Sequence, residues 1–180
     1  MWLPEERSTR CEAAVAMTDH NYDEVLNAAC VQYKLDPHGY HGPSHWLRVE
    51  TFSRYLADQT GADVTVVRLF ARLHDCCRAN ETWDPDHGHR AADFAASLRG
   101  TLLRITDVQF ELLAHAMRYH NDGLTIDDPT VGTCWDADRL DLGRVGVEPD
   151  PRFMSTAVSK LPYTLQWATE VQMAEGVYGS

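Results

Sequence analysis

The sequence has no long apolar run and little pattern typical of β-strands. Its apolar segments fall far short of the roughly 20 consecutive residues that cross a bilayer, and its N-terminus lacks a secretory apolar region. We therefore expect a protein without a membrane span that is located in the cytoplasm. Lysine is also scarce, because only Lys34 and Lys160 are found among the 16 basic residues. Any binding of phosphate consequently falls mainly to arginine, whose planar fork suits bidentate contacts.

The five cysteines include no C-x-x-C pair, and their number is odd. Cys76 and Cys77 are adjacent, which places two thiols poorly for a bond with each other. These features indicate a reduced, cytoplasmic protein, and we assign no chemistry to the cysteines.

Acidic residues outnumber basic ones by 27 to 16, which gives a formal net charge of −11. A charge of this sign argues against an extended surface for nucleic acid. A local anion pocket built from arginines is compatible with it.

Apolar residues recur at helical spacing between breaks at glycine, proline and Asp/Asn, with no internal repeat and no long linker. We predict an all-α, compact single-domain bundle of about six to seven helices over residues 17–180, preceded by an N-terminal extension over 1–16. The predicted helices cover residues 22–34, 43–59, 63–78, 86–99, 106–120, 129–146 and 155–174.

One apolar helix ends on the adjacent residues His74 and Asp75. His74 lies four residues after Phe70 and seven after Val67, so it shares their apolar face and points inward. A carboxylate beside a buried imidazole is costly unless a cation shares the space. A metal ion is the first candidate for that cation.

Three further histidines, His45, His87 and His120, align with the apolar faces of their predicted helices. His89 falls on the polar face of the helix that carries His87, and His41 precedes its helix as a rim residue. For each inward histidine taken alone, a hydrogen-bonded core residue is as good an interpretation as a metal ligand.

Spacing leaves two choices open. His115 also shares a face with apolar residues, so the pattern favours His120 over it only modestly. In the segment WDADRLD, the acidic residues Asp136, Asp138 and Asp141 all align with apolar neighbours. Periodicity therefore does not select one of the three.

Together these motifs resemble the HD-domain superfamily of metal-dependent phosphohydrolases. The resemblance covers about residues 41–145 and rests on the His of HWLRV, the His-Asp doublet and the Asp of ADRL, in that order. It implies that His45, His74, Asp75 and Asp138 are metal ligands, and that His74 and Asp75 are catalytic.

Members of the superfamily that bind two metals add two histidines between the doublet and the last Asp. His87 and His120 fall in that interval, so the resemblance implies one ion and allows a second that is bridged through Asp75. A mixed N/O ligand set suits Mn, Fe, Co, Ni or Zn. The implied reaction is attack of a metal-activated water on a phosphate ester or phosphoanhydride of a small nucleotide-like or phosphorylated metabolite.

The chain departs from the known branches of the superfamily. Guanosine tetraphosphate hydrolases and deoxynucleotide phosphatases carry an acidic residue three places after the Asp of the doublet, where this chain has Arg78. The Gly-Tyr-Pro signature of the cyclic-dinucleotide branch is also missing. The identity of the substrate therefore stays open, and the arginines expected to bind its phosphate are Arg78, Arg48, Arg118 and Arg139.

Two other functions stay open at this stage. A few HD-fold proteins use a similar ligand set to hold two irons and activate oxygen, so a di-iron oxygenase is the first alternative. The second alternative is a non-catalytic metal-binding module, although a purely structural site has little reason to keep open coordination positions. We expect a small-molecule phosphorylated substrate, and a homodimer is compatible with the sequence.

Overall fold

The computed structural model describes residues 21–176, and within this range the chain is helical. The all-α prediction is thus confirmed, and extended backbone pairs there only at an isolated bridge between Arg99 and Leu103. The predicted extension over residues 1–16 lies outside the described residues. The helices are α1 (Tyr22–Gln32), α2 (Pro43–Thr60), α3 (Val64–Leu73), α4 (His87–Ser97), α5 (Asp107–Tyr119), α6 (Pro129–Leu140), α7 (Pro162–Ala174) and the two 3-10 helices Leu142–Val145 and Pro151–Phe153.

Among the described residues, no helix combines the length and the apolar character that a membrane span requires.

Helix α3 lies at the centre of the bundle and contacts α1, α2, α5 and α6. Most of its side chains are apolar, and its residues from Thr65 to Leu73, apart from the partly exposed Arg68, are buried. Phe70 on α3 and Trp46 on α2 are among the largest fully buried side chains. The central helix therefore delivers its last residues, and His74 directly after them, into the interior.

Local signals explain where the helices near the site begin. Asp63 caps α3 by accepting hydrogen bonds from two backbone N–H groups, and Asp128 caps α6 in the same way. Proline occupies the first position of α2 at Pro43, where its missing N–H is no loss. These caps fix the ends of the helices that carry His45, His74 and the acidic residues of ADRLD.

Three predicted helix ends differ from the structure. Helix α3 ends at Leu73 rather than at 78, since the chain turns tightly after His74. Helix α6 ends at Leu140, and a 3-10 helix replaces the predicted continuation to 146. Helix α7 starts at Pro162 rather than at 155, because proline is accommodated at the start of a helix and not in its interior.

Candidate metal centre

Two buried imidazoles meet where α2 begins and α3 ends. Nδ1 of His45 lies 2.7 Å from Oδ2 of Asp141, and Nδ1 of His74 lies 3.2 Å from the carbonyl oxygen of Phe70. Both oxygens accept, so each Nδ1 carries the ring proton and each Nε2 keeps its lone pair. The two Nε2 atoms nevertheless face each other at 3.1 Å.

A second pair of imidazoles, from α4 and the end of α5, repeats this arrangement. Nδ1 of His87 donates to the carbonyl oxygen of Asp84, and Nδ1 of His120 donates to that of Met117 at 2.7 Å. The Nε2 atoms of the two rings are 2.8 Å apart. Facing lone pairs at this distance repel each other unless a cation or a proton lies between them.

Asp75 lies between the two pairs and turns one carboxylate oxygen towards each. Its Oδ2 is 3.6 Å from Nε2 of His45 and 3.7 Å from Nε2 of His74. Its Oδ1 is 3.0 Å from Nε2 of His87 and 3.7 Å from Nε2 of His120. Burial raises the pKa of Asp75, whereas positive charge beside it, on protonated His74, His120 and His87 or on a bound cation, lowers this pKa well below its usual value.

Asp138 completes the first half of the cluster. Its Oδ1 lies 3.3 Å from Nε2 of His45 and 3.6 Å from Nε2 of His74. This oxygen is buried and accepts no hydrogen bond within the described residues. Burial raises the pKa of Asp138, whereas positive charge beside it, on protonated His45 and His74 or on a bound cation, lowers this pKa well below its usual value. A buried carboxylate oxygen without a donor is a strong indication that a cation belongs beside it.

The donor atoms therefore fit a metal ion. Metal–nitrogen bonds of about 2.0–2.1 Å place neighbouring ligand atoms about 3 Å apart, which matches the separations of the Nε2 atoms. Two groups of three residues could each hold an ion, because in each group the three ligand atoms lie within 4.8 Å of one another. The first group is His45, His74 and Asp138, and the second is His74, Asp75 and His120. His87 joins the second group through its short distances to Asp75 and His120.

Behind the first pair, Asp141 and Arg48 hold His45 in place. Arg48 donates to both carboxylate oxygens of Asp141, from Nε at 2.8 Å and from Nη2 at 3.0 Å, and its remaining nitrogen faces Glu175. Burial raises the pKa of Asp141, but His45 and Arg48 lower it below its usual value. Carboxylates that hold the outer nitrogen of a ligand histidine fix its tautomer and orientation. The predicted phosphate-binding residue Arg48 is therefore buried behind the ligands and does not line the cleft beside them.

A cleft of about 500 Å³ opens onto Asp75 and Asp138. Of the arginines predicted to bind phosphate, Arg78 and Arg139 line this cleft. Arg118 is half-buried on α5 and does not line it. Sequence reasoning missed Arg144, whose Nη2 lies 3.9 Å from Oδ1 of Asp138. The apolar residues of the cleft are Leu142, Val147, Phe153 and Met154.

The remaining candidates lie outside the cluster. His89 and His115 are exposed. His41 lines the cleft, where its Nδ1 is 2.7 Å from Oε2 of Glu81. Burial is the main reason why the pKa of His41 is lowered.

Asp136 has a different role from Asp138, although the two lie only two residues apart on α6. It is fully buried and accepts hydrogen bonds from the backbone N–H groups of Ser155 and Thr156 at 2.6 and 2.7 Å, and from the hydroxyl of Ser159. The carboxylate therefore anchors the segment before α7. A position two residues along a helix faces away from the first, which explains the separation of roles.

We predict that the Asp138→Ala variant loses bound metal, because a ligand atom is removed from the cluster. The Asp136→Ala variant should keep the metal content of the wild type per folded molecule and melt at a lower temperature, because it leaves several buried donors unpaired. Elemental analysis of the purified variants and thermal unfolding test both statements. Equal metal content in the two variants would contradict the assignment of Asp138.

Comparison with known proteins shows the family of the chain and a similar fold. The model of the HD domain family matches residues 44–143, and the chain belongs to this family. A crystal structure from an uncultured Thermotogales bacterium, described as a predicted HD superfamily hydrolase, is similar in fold, with a TM-score of 0.63 and 24% sequence identity. The similarity covers 85% of this chain and 88% of the other. A comparison with curated proteins gives no match.

Proposed function

We propose that the protein is a metal-dependent hydrolase that cleaves a phosphate ester or phosphoanhydride of a small metabolite. The observation that carries this proposal is the orphaned Oδ1 of Asp138, which faces two imidazole lone pairs at the floor of a cleft lined by three arginines. Membership of the HD family supports it, as does the similar fold of a protein described as a predicted hydrolase.

The residues proposed to hold the first ion are His45, His74, Asp75 and Asp138. When bound there, a divalent Mn, Fe, Co, Ni or Zn ion acts as a Lewis acid and lowers the pKa of a coordinated water to about 7. His45 and His74 contribute neutral nitrogen donors because their Nδ1 protons are engaged elsewhere. Asp75 and Asp138 would balance the charge of the ion, and the adjacent cation would in turn favour their ionised forms.

Arginine binds the phosphate in this proposal. Arg144 is anchored by donating from Nε to the carbonyl oxygen of Tyr40 and from Nη1 to that of Asp141, each at 3.0 Å. Its Nη2 is thereby directed to the side of the cleft on which Asp138 lies. Arg139 also lines the cleft, and its Nη2 is buried without a hydrogen-bond partner in the described part of the chain. Planar donors fixed in this way suit the oxygens of a phosphoryl group.

The body of the substrate is proposed to be small and partly apolar. Leu142, Val147 and Phe153 provide apolar surface beside the arginines, and the cleft volume of about 500 Å³ suits a metabolite. The net charge of −11 disfavours a long nucleic acid. We also propose a cytoplasmic location, which the free thiols of Cys30, Cys76, Cys77 and Cys134 support.

The test is an activity screen after metal reconstitution. Protein stripped of metal is loaded with Mn, Fe, Co, Ni or Zn and assayed against phosphomonoesters, phosphodiesters and phosphoanhydrides, in air and without oxygen. We expect release of phosphate or of a phosphorylated product at the same rate in both atmospheres. Turnover that consumes oxygen and stops without it would instead identify an oxygenase. Bound metal without turnover of any substrate would favour a non-catalytic module.

The Arg144→Gln variant should raise the KM for the substrate found in this screen by roughly 10- to 100-fold. Hydrogen bonds to charged groups contribute about 1.5–3 kcal/mol, which corresponds to this range of affinity. Arg54→Gln is the matched control, since Arg54 is exposed on α2 and does not line the cleft. Steady-state kinetics of both variants decide the question, and an unchanged KM in Arg144→Gln would exclude a contact between this arginine and the substrate.

A further inference from the structure

Arg78 is a buried cation that is fixed in place by backbone oxygens. It follows Asp75 by three residues, and its side chain is 8% exposed. Nε donates to the carbonyl oxygen of Asn80 at 3.3 Å, and Nη2 donates to that of Thr82 at 2.9 Å. Because two of its three nitrogens are held by the loop that follows, the guanidinium cannot turn away without losing both bonds.

The third nitrogen, Nη1, is directed at the half of the cluster that contains His87 and His120. It lies 3.5 Å from Oδ1 of Asp75 and 3.3 Å from Nε2 of His87. These two atoms, with Nε2 of His120, are the donor atoms that this half offers to a cation. Arg78 therefore already partners the groups that a second metal ion would need.

We propose that Arg78 takes the place of a second metal ion and keeps the centre mononuclear. This inference rests on the metal centre of the proposed function and concerns how many ions it binds. The guanidinium is a cation whose Nη1 lies 3.5 Å from Oδ1 of Asp75, so it offsets part of the charge of this carboxylate. A divalent ion entering this half would meet that charge at close range and would displace the hydrogen bonds to Asp75 and His87.

The first half of the cluster is free of this competition. The arginine nearest to Oδ1 of Asp138 is Arg144, whose Nη2 is 3.9 Å away, and this oxygen accepts no hydrogen bond in the described residues. His45 and His74 direct their lone pairs at the same place. The half with Asp138 thus has no cation in hydrogen-bond contact, whereas the half with His87 and His120 has Arg78. We therefore predict that the two halves bind metal with very different affinities.

The test is the stoichiometry of Mn²⁺ binding, which does not depend on any substrate. Protein stripped of metal is titrated with Mn²⁺ by calorimetry, and the bound ions are examined by electron paramagnetic resonance. We expect one tight ion in the wild type, in Arg78→Lys, which keeps the charge, and in the surface control Arg54→Gln. In Arg78→Gln the second ion should bind at least tenfold more tightly, and the spectrum should show two coupled ions.

A double variant tests where the second ion binds. Adding His87→Ala to Arg78→Gln should return the stoichiometry to one, because a ligand of the second half is removed. Two equally tight ions in the wild type, or an unchanged second affinity in a folded Arg78→Gln protein, would overturn the inference. Neither result would affect the proposed hydrolase, whereas a wild-type protein that binds no metal would overturn both.

Discussion

Removing the metal should lower the melting temperature of this protein by about 5–10 °C. A ligand bound only by the native state stabilises it by about 2.7 kcal/mol at a hundredfold excess over its dissociation constant. For a chain of this size, each kcal/mol shifts the melting temperature by about 2–4 °C. Without the ion, the lone pairs of His45 and His74 face each other beside the carboxylates of Asp75 and Asp138. Thermal unfolding with and without chelator, after the metal content has been checked, measures the effect.

The His74→Ala variant is the control for this experiment. It removes one ligand and leaves both carboxylates in place, so chelator should not change its melting temperature. Its own stability should be below that of the metal-bound wild type, since His74 is fully buried against Phe70. A wild type that loses its metal to chelator and melts at the same temperature would show that the cluster does not need a cation.

Helical periodicity is enough to predict the all-α class and the inward direction of His45, His74 and His87, whereas it favours His120 over the exposed His115 only modestly. His87 and His89 are two residues apart on one helix, and the apolar face alone predicts that the first is buried and the second exposed, as the structure describes them. The helix that ends at His74 is rich in apolar residues, which favours its central place in the bundle. Local patterns of this kind are decided by neighbours within two turns.

The choice among the three acidic residues of WDADRLD could not be made in this way. Asp136, Asp138 and Asp141 are all largely buried, and each contacts a distant part of the chain. Asp136 accepts from the backbone of Ser155, whereas Asp138 and Asp141 face opposite ring nitrogens of His45. The resemblance to a family selected Asp138, whereas spacing alone did not. Contacts over 19 to 96 residues of separation are set by the packing of the bundle, and periodicity carries no information about them.

The arginines show the same limit. Apolar spacing does not distinguish Arg48 from Arg144, yet Arg48 lies behind His45 and Arg144 lines the cleft. The difference arises because the 3-10 helix after α6 returns the chain to the mouth of the site. A one-turn irregularity of this type interrupts the predicted helix over 129–146, and it cannot be located from apolar spacing.

The Gly88→Ala variant should destabilise the protein by about 2–3 kcal/mol and lower its melting temperature by about 4–12 °C. Gly88 lies in the first turn of α4, next to His87. A Cβ atom at this position would overlap the carbonyl oxygen of Met117 and would lie 3.1 Å from its carbonyl carbon and 3.3 Å from Cε1 of His120. Helix propensity alone predicts the opposite sign, because alanine favours a helix over glycine by up to about 1 kcal/mol.

The overlap also concerns the metal centre, since the Met117 carbonyl oxygen is the acceptor that orients His120. Separating α4 from α5 would move His87 away from His120, so Gly88→Ala should also weaken any ion that Arg78→Gln admits to that half of the cluster. Gly61→Ala is the matched control: its left-handed φ of 72° costs about 1–2 kcal/mol, but open space surrounds it. It should lower the melting temperature without changing metal binding. A Gly88→Ala protein as stable as the wild type would mean that the two helices do not approach as closely as the paired imidazoles require.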